Sequence, residues 1–162
     1  IPACEKGFKD VMSKGPLAAF PMVGIKVTLN DGKYHDVDSS DLAYQLAARS
    51  AMRDAVKKSS PVLMEPVMKV EVETPSDFQG SVIGDLSSRR GVVYGTEVNG
   101  DDTVINAGVP LGEMFGYATQ LRSLTSGKAN YSMEFEKYNR CPAFVQEKVI
   151  KERAEKMREE QG

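Results

Sequence analysis

The apolar positions of this chain change period several times, and each change marks an element. Ile1, Cys4, Phe8, Val11 and Met12 recur at helical spacing until Gly15-Pro16 stops them, which predicts an opening helix. Val23, Ile25, Val27 and Leu29 then alternate with Gly24, Lys26, Thr28 and Asn30, the period of a half-buried strand. Asp31-Gly32 breaks that strand and leaves residues 31–37 as a loop tip. Asp38 and Ser39 are suited to cap a helix on which Ala43, Ala47, Ala51 and Ala55 repeat every four positions beside Leu46, a small-residue face that permits close approach. A polar break at Ser59-Ser60-Pro61, with Glu65-Pro66 beyond, predicts a domain boundary.

After the break the pattern sharpens. Met68, Val70 and Val72 alternate with Lys69, Glu71 and Glu73 as a strand, and Thr74-Pro75 suits the cap and first position of a helix with Asp77 in its first turn. Phe78, Val82 and Leu86 form its buried stripe and Gly91 closes it. Val92 to Val98 and Thr103 to Val109 flank Asn99-Gly100-Asp101-Asp102, a hairpin signal. Pro110 opens a second helix with Leu111, Met114, Phe115, Ala118 and Leu121 inward, and Tyr131, Met133 and Phe135 mark a last strand. Strand, helix, strand, strand, helix, strand is the ferredoxin-like βαββαβ order. Beyond Pro142, Val145, Val149, Ala154 and Met157 line a charged terminal helix.

The expected class is therefore α+β. Residues 65–140 form the ferredoxin-like domain and 141–162 a C-terminal helix. Residues 1–64 hold a helix, a strand, a tip loop and a helix, and a lone strand has no ladder partner. They read as an incomplete α/β domain, with strand 23–29 under-paired or borrowing a partner.

Length and charge narrow the function. A chain of 162 residues is one domain or two small ones, and 21 basic against 23 acidic side chains gives 21 − 23 = −2, so no global positive field draws it to nucleic acid. Any RNA contact must be local. Cys4 and Cys141 lie at opposite ends without zinc or redox spacing and read as free thiols of a reducing compartment. No apolar run is long enough to span a bilayer and the start lacks the pattern of a secretion signal, so a cytoplasmic or organelle-matrix location is expected.

Three stretches concentrate basic and small residues at the ends of expected elements. His35, the only histidine, stands beside Asp36 and ahead of Asp38, Ser39 and Ser40, but consecutive loop residues do not converge on a pocket as a Ser-His-Asp triad must. An exposed loop histidine is the plain reading, and presentation of Tyr34 and His35 to unstacked bases is the functional one. One histidine with scattered carboxylates fixes no metal geometry. Arg89 and Arg90 sit where cations favour helix C-terminal carbonyls, or where guanidinium forks would grip RNA phosphate. Arg122, Ser123, Thr125, Ser126, Gly127 and Lys128 make a donor-rich corner between helix and strand, either solvated or phosphate-binding. A regulatory ferredoxin-like domain binding a small molecule, or pairing through its sheet, is the remaining class.

Several long stretches carry a resemblance. Ile1-Pro2-Ala3-Cys4-Glu5-Lys6-Gly7, Tyr34-His35-Asp36-Val37-Asp38-Ser39-Ser40, Leu63-Met64-Glu65-Pro66-Val67-Met68-Lys69-Val70-Glu71-Val72, Val82-Ile83-Gly84-Asp85-Leu86 and Phe115-Gly116-Tyr117 follow in order up to Tyr138. Over essentially the whole chain this resembles the C-terminal part of bacterial-type elongation factor G, the translational GTPase that moves transfer and messenger RNA through the ribosome. The resemblance implies the latter part of the family's domain IV, an incomplete α/β domain of ribosomal-protein-like type, then domain V. It also implies no GTP or metal site in this stretch, with GTP and Mg held elsewhere in the parent, and no membrane partner. In the family the loop matching Asp31, Gly32, Lys33, Tyr34 and His35 meets tRNA and mRNA at the decoding centre. Positions matching Arg122, Ser123, Ser126 and Lys128 approach large-subunit rRNA near the sarcin-ricin loop, with Arg89 and Arg90 as further rRNA contacts. Ser126 and Lys128 depart from the family's usual glutamine and arginine. A paralogue acting in ribosome recycling or protection shares all these features.

Overall fold

The computed structural model describes all 162 residues, which divide into two units, Ile1–Leu63 with Pro142–Gly162, and Met64–Cys141. In the first, α1 (Pro2–Met12) begins with proline at a position whose missing N–H has no helical partner to lose. α2 (Asp41–Lys58) starts at Ser40, whose Oγ accepts from the Ala43 amide at 3.1 Å. The cap falls one residue later than expected, because the Ser39 hydroxyl is taken up by the His35 backbone. α5 (Ala143–Glu159) belongs to this unit as well, and its Gln146 Oε1 accepts from the Leu63 amide at 3.0 Å.

α1 and α2 pack through Gly7, the one buried residue of α1. The buried stripe of α2 is Ala48, Met52 and Val56, not the expected alanine face, for Ala47, Ala51 and Ala55 are exposed. The close approach at Gly7 selects the Ala48 side, and Asp10 pairs with Arg49 across the same contact. Residues 23–29 form no strand. The alternation is present in the sequence, but no second strand of this unit supplies a ladder, and Val23, Ile25, Val27 and Leu29 stay largely exposed.

The second unit is a four-stranded antiparallel sheet in the order β2-β3-β1-β4, with β1 Met64–Pro75, β2 Val92–Asn99, β3 Asp102–Pro110 and β4 Asn130–Arg140. α3 (Gln79–Ser88) and α4 (Tyr117–Thr125) complete the ferredoxin-like βαββαβ order. In the register Val70 faces Ala107 on one side and Met133 on the other, while Val72 faces Ile105 and Tyr131. Val70, Val72, Ile105, Ala107 and Val109 meet Val82 and Leu86 of α3 and Tyr117 and Leu121 of α4 in one core.

Two boundaries move. Thr74 and Pro75 end β1 instead of opening a helix, and a short 3-10 turn at Ser76–Phe78 precedes α3. Pro110 likewise ends β3, a second such turn covers Leu111–Glu113, and α4 starts only after Gly116, whose φ of 73° resets the helical phase. Tyr117 therefore takes the inward place expected of Phe115 and Ala118, and Phe115 is left 81% exposed.

Tyr117 is 1% exposed, edge-on to Tyr131 at 5.0 Å, with the Arg89 guanidinium 5.1 Å over its ring. Its hydroxyl has no hydrogen-bond partner. Burial pushes this phenol well above the ordinary tyrosine range, with the Asp85 charge adding to it. A buried hydroxyl without a partner costs free energy while the ring contacts survive its removal. Tyr117→Phe is therefore expected to stabilise the second unit by about 1 kcal/mol, read as a higher urea midpoint at unchanged slope.

Candidate nucleic-acid interface

The finger at residues 31–39 is held from its base. Tyr44, in the first turn of α2, donates its hydroxyl to the Lys33 carbonyl at 2.9 Å. Ser39 closes the loop around His35, its Oγ accepting from the His35 amide at 2.6 Å and its own amide donating to the His35 carbonyl at 3.0 Å. With the backbone tied on both sides, the side chains point outward. Tyr34 is 71% exposed, and the His35 ring lies open to solvent with Nδ1 3.9 Å from Asp38 Oδ2.

This geometry disposes of the hydrolase reading. The Ser39 hydroxyl is bonded to backbone, Asp38 lies beyond hydrogen-bond reach of the imidazole, and nothing encloses the ring. Surface concavities lie elsewhere, one around Lys69, Glu71, Ser132 and Glu134, another around Ala118, Arg122, Asn130 and Tyr131.

The corner after α4 is pinned from inside by Thr125. Fully buried, it donates to the Leu121 carbonyl at 2.7 Å and accepts from the Ala129 amide at 3.3 Å, so it is a strut and not the surface donor the sequence suggested. Ser126 and Gly127 both take left-handed backbone, φ 53° and 75°, and the Gly127 amide donates to the Arg122 carbonyl at 2.9 Å. The chain reverses tightly, which leaves Arg122, Ser123, Ser126 and Lys128 exposed and neither cation in an ion pair.

Arg89 and Arg90 behave differently, and the phosphate reading of them does not fit. Arg89 donates from Nε to Asp85 at 3.0 Å and from Nη1 to the Glu113 carbonyl at 2.5 Å, besides covering Tyr117. Arg90 grips Glu65 with both terminal nitrogens, at 2.9 and 2.8 Å, and reaches Glu113 with Nε at 3.2 Å. The hydrogen bonds to Glu65 raise the Arg90 pKa still further beyond the usual arginine range. Cys141 lies beside the same pair, where burial first and Glu65 second push its thiol up. These guanidiniums are spent on internal cross-links.

The sheet face away from the helices shows why RNA would not lie there. By register, Lys69, Glu71 and Glu73 of β1 share it with Ser132 and Glu134 of β4, and Lys69 Nζ stands 3.8 Å from Glu134. Two bulges aim side chains across it. Tyr94, the extra residue in β2, passes over Gly108 and donates to Oε2 of Glu136, the extra residue in β4, at 2.8 Å. Periodicity could not reveal this pair, because a bulge breaks the period that is being read. A face rich in carboxylates repels a phosphate chain, which leaves the finger and the corner.

Comparison with known proteins finds one family along the chain. Residues 1–60 match the family model described as elongation factor G, domain IV, and residues 62–149 match elongation factor G C-terminus. Elongation factor G of Aquifex pyrophilus is 56% identical over 153 residues, 94% of this chain and 22% of that protein. Elongation factor G 1 of Syntrophus aciditrophicus (strain SB) is 53% identical over 156 residues, again 22% of its length. A crystal structure from Thermus thermophilus superposes with a TM-score of 0.86 at 40% identity, over 95% of this chain and 23% of that one. The chain thus spans under a quarter of the length of these relatives. With adjoining matches over residues 1–60 and 62–149, it belongs to the elongation factor G family.

Proposed function

We propose that this chain is the RNA-contacting part of an elongation factor G that promotes movement of tRNA and mRNA on the ribosome. The finger at Asp31, Gly32, Lys33, Tyr34 and His35 meets the tRNA and mRNA at the decoding centre. The corner at Arg122, Ser123, Ser126 and Lys128 meets large-subunit rRNA near the sarcin-ricin loop. In this reading Arg89 and Arg90 contribute by keeping the helical layer rigid. GTP, its Mg ion and hydrolysis belong to the rest of the parent protein, which works in the cytoplasm.

The observation that carries the proposal is the buttressed finger, with two exposed rings on a backbone fixed by Tyr44 and Ser39 and no enclosing pocket. A rigid tip of that kind suits contact more than chemistry. It stabilises an advanced position of its RNA partners and so biases a two-state equilibrium. The unpaired Arg122 and Lys128 supply the charge-assisted hydrogen bonds a phosphate accepts.

The test uses the full-length protein. Losing a ring contact worth about 1–2 kcal/mol predicts that His35→Ala slows single-round translocation about tenfold, with ribosome-stimulated GTP hydrolysis and the unfolding midpoint unchanged. Arg122→Ala should weaken ribosome binding and flatten its salt dependence by about one phosphate contact. Unchanged translocation in the first variant would sink the role of the finger.

A further inference from the structure

We propose that the Asp31–Gly32 peptide is a site of spontaneous covalent modification, at which Asp31 converts to isoaspartate through a cyclic succinimide with water as the sole co-reactant. Of the aspartates in the chain, Asp31 alone precedes a glycine. Its carboxylate already lies against the nitrogen it must join, with the Gly32 amide 2.7 Å from Asp31 Oδ1. Both residues are exposed, and residues 23–35 belong to no ladder that would hold the peptide in place. Nothing stands within 4 Å of the position a Gly32 side chain would occupy, so neither a Cβ nor a neighbour obstructs the approach. Close placement of nucleophile and electrophile on one short segment supplies the proximity such a cyclisation needs.

The Gly32 nitrogen attacks Asp31 Cγ and a new N–Cγ bond forms. The attacked group is the protonated carboxyl: the nitrogen loses its proton and Cγ loses its hydroxyl, and the two leave together as water. The five-membered ring then takes up one water. Opening at Cγ restores aspartate, whereas opening at the Asp31 backbone carbonyl leaves the chain running through the side-chain carbon, with a free α-carboxylate and one extra methylene in the backbone. The net change in mass is zero. An added methylene two residues before Lys33, whose carbonyl Tyr44 holds, shifts the anchored base of the finger. Its effect on RNA contact rests on the function proposed above, but the modification itself does not.

The experiment ages the folded chain at physiological temperature and neutral pH and follows the tryptic peptide Val27–Lys33. A second isomer of identical mass should accumulate, accept methyl groups from an isoaspartyl methyltransferase, and fragment as isoaspartate at residue 31. Deamidation of Asn30, in the same peptide, raises its mass and is thereby told apart. Gly32→Val, at a site with open space and no positive φ, should fold normally and suppress the isomer to background. The proposal is overturned if the native chain forms no isomer while the urea-unfolded chain does, or if Gly32→Val forms it at the native rate. Translocation assayed with aged full-length protein then tests the functional consequence separately.

Discussion

Gly7→Val is expected to destabilise the first unit by about 3 kcal/mol, combining overpacking with the loss of the buried Ala48 contact. A Cβ at Gly7 would stand 2.5 Å from the Gln45 carbonyl oxygen and 2.9 Å from Ala48 Cβ. The first of these atoms is backbone and cannot swing aside. The helices must therefore separate, which also stretches the Asp10–Arg49 pair. Two effects oppose each other here. Helix propensity alone favours replacing an interior glycine with alanine by about 1 kcal/mol, so Gly7→Ala should lose less than the valine variant. The steric term still wins, because even an alanine Cβ meets the carbonyl. Urea titration measures the loss, and the alkylation rate of the half-buried Cys4 on α1 reports the same separation locally. An unchanged midpoint for the valine variant would show that the helices are not in close contact at this point.

Gly7 also marks where sequence reading reaches its limit. The second unit is legible because its strands and helices carry strong periods, as in Met68, Val70 and Val72 on β1 or Val82 and Leu86 on α3. A glycine at a helix crossing carries no apolar signal, so periodicity picks the alanine repeat as the buried face of α2. At residues 23–29 the alternation is real, but a period reports which side chains share a face and says nothing about whether a ladder partner exists. The phase of α4 depends on the left-handed backbone at Gly116, and one such residue turns Phe115 outward.

The candidate site divides in the same way. The finger is legible because Asp31-Gly32 is local turn chemistry and Tyr34-His35 follows directly. Its supports are half hidden. Ser39 is visible as a capping residue, but the bond from Tyr44 to Lys33 joins positions on different elements. Arg89 and Arg90 mislead because two arginines at a helix end suit phosphate and carboxylate equally well. What decides for Arg90 is Glu65 and Glu113, far away in sequence and brought close only by folding, whereas Arg89 is taken by Asp85 one turn back and by the Glu113 carbonyl.

Arg90 leads to the other large effect. The end of α3 is a Schellman turn in which the Gly91 amide donates to the Leu86 carbonyl at 2.9 Å and the Arg90 amide to that of Ser87 at 3.1 Å. The left-handed position, usually glycine, is Arg90 itself at φ 59°, and left-handed backbone costs a residue with a Cβ about 1 kcal/mol. An arginine persists there because its side chain, once so aimed, meets Glu65 in a two-pronged pair, with side-chain exposures of 22% and 14%. Arg90→Met keeps the backbone strain and leaves the Glu65 carboxylate largely buried without its partner. Removing one member of such a pair costs about 3 kcal/mol, so the second unit should lose that much in urea unfolding. Arg90→Gly loses the same bonds but relaxes the turn, and should stand about 1 kcal/mol above the methionine variant. Adding Glu65→Gln to Arg90→Met should recover part of the loss, since the uncompensated charge is then gone. If Arg90→Met unfolds within about 0.5 kcal/mol of the parent chain, as an ordinary surface substitution does, the pair is no strut and the strain at residue 90 needs another explanation.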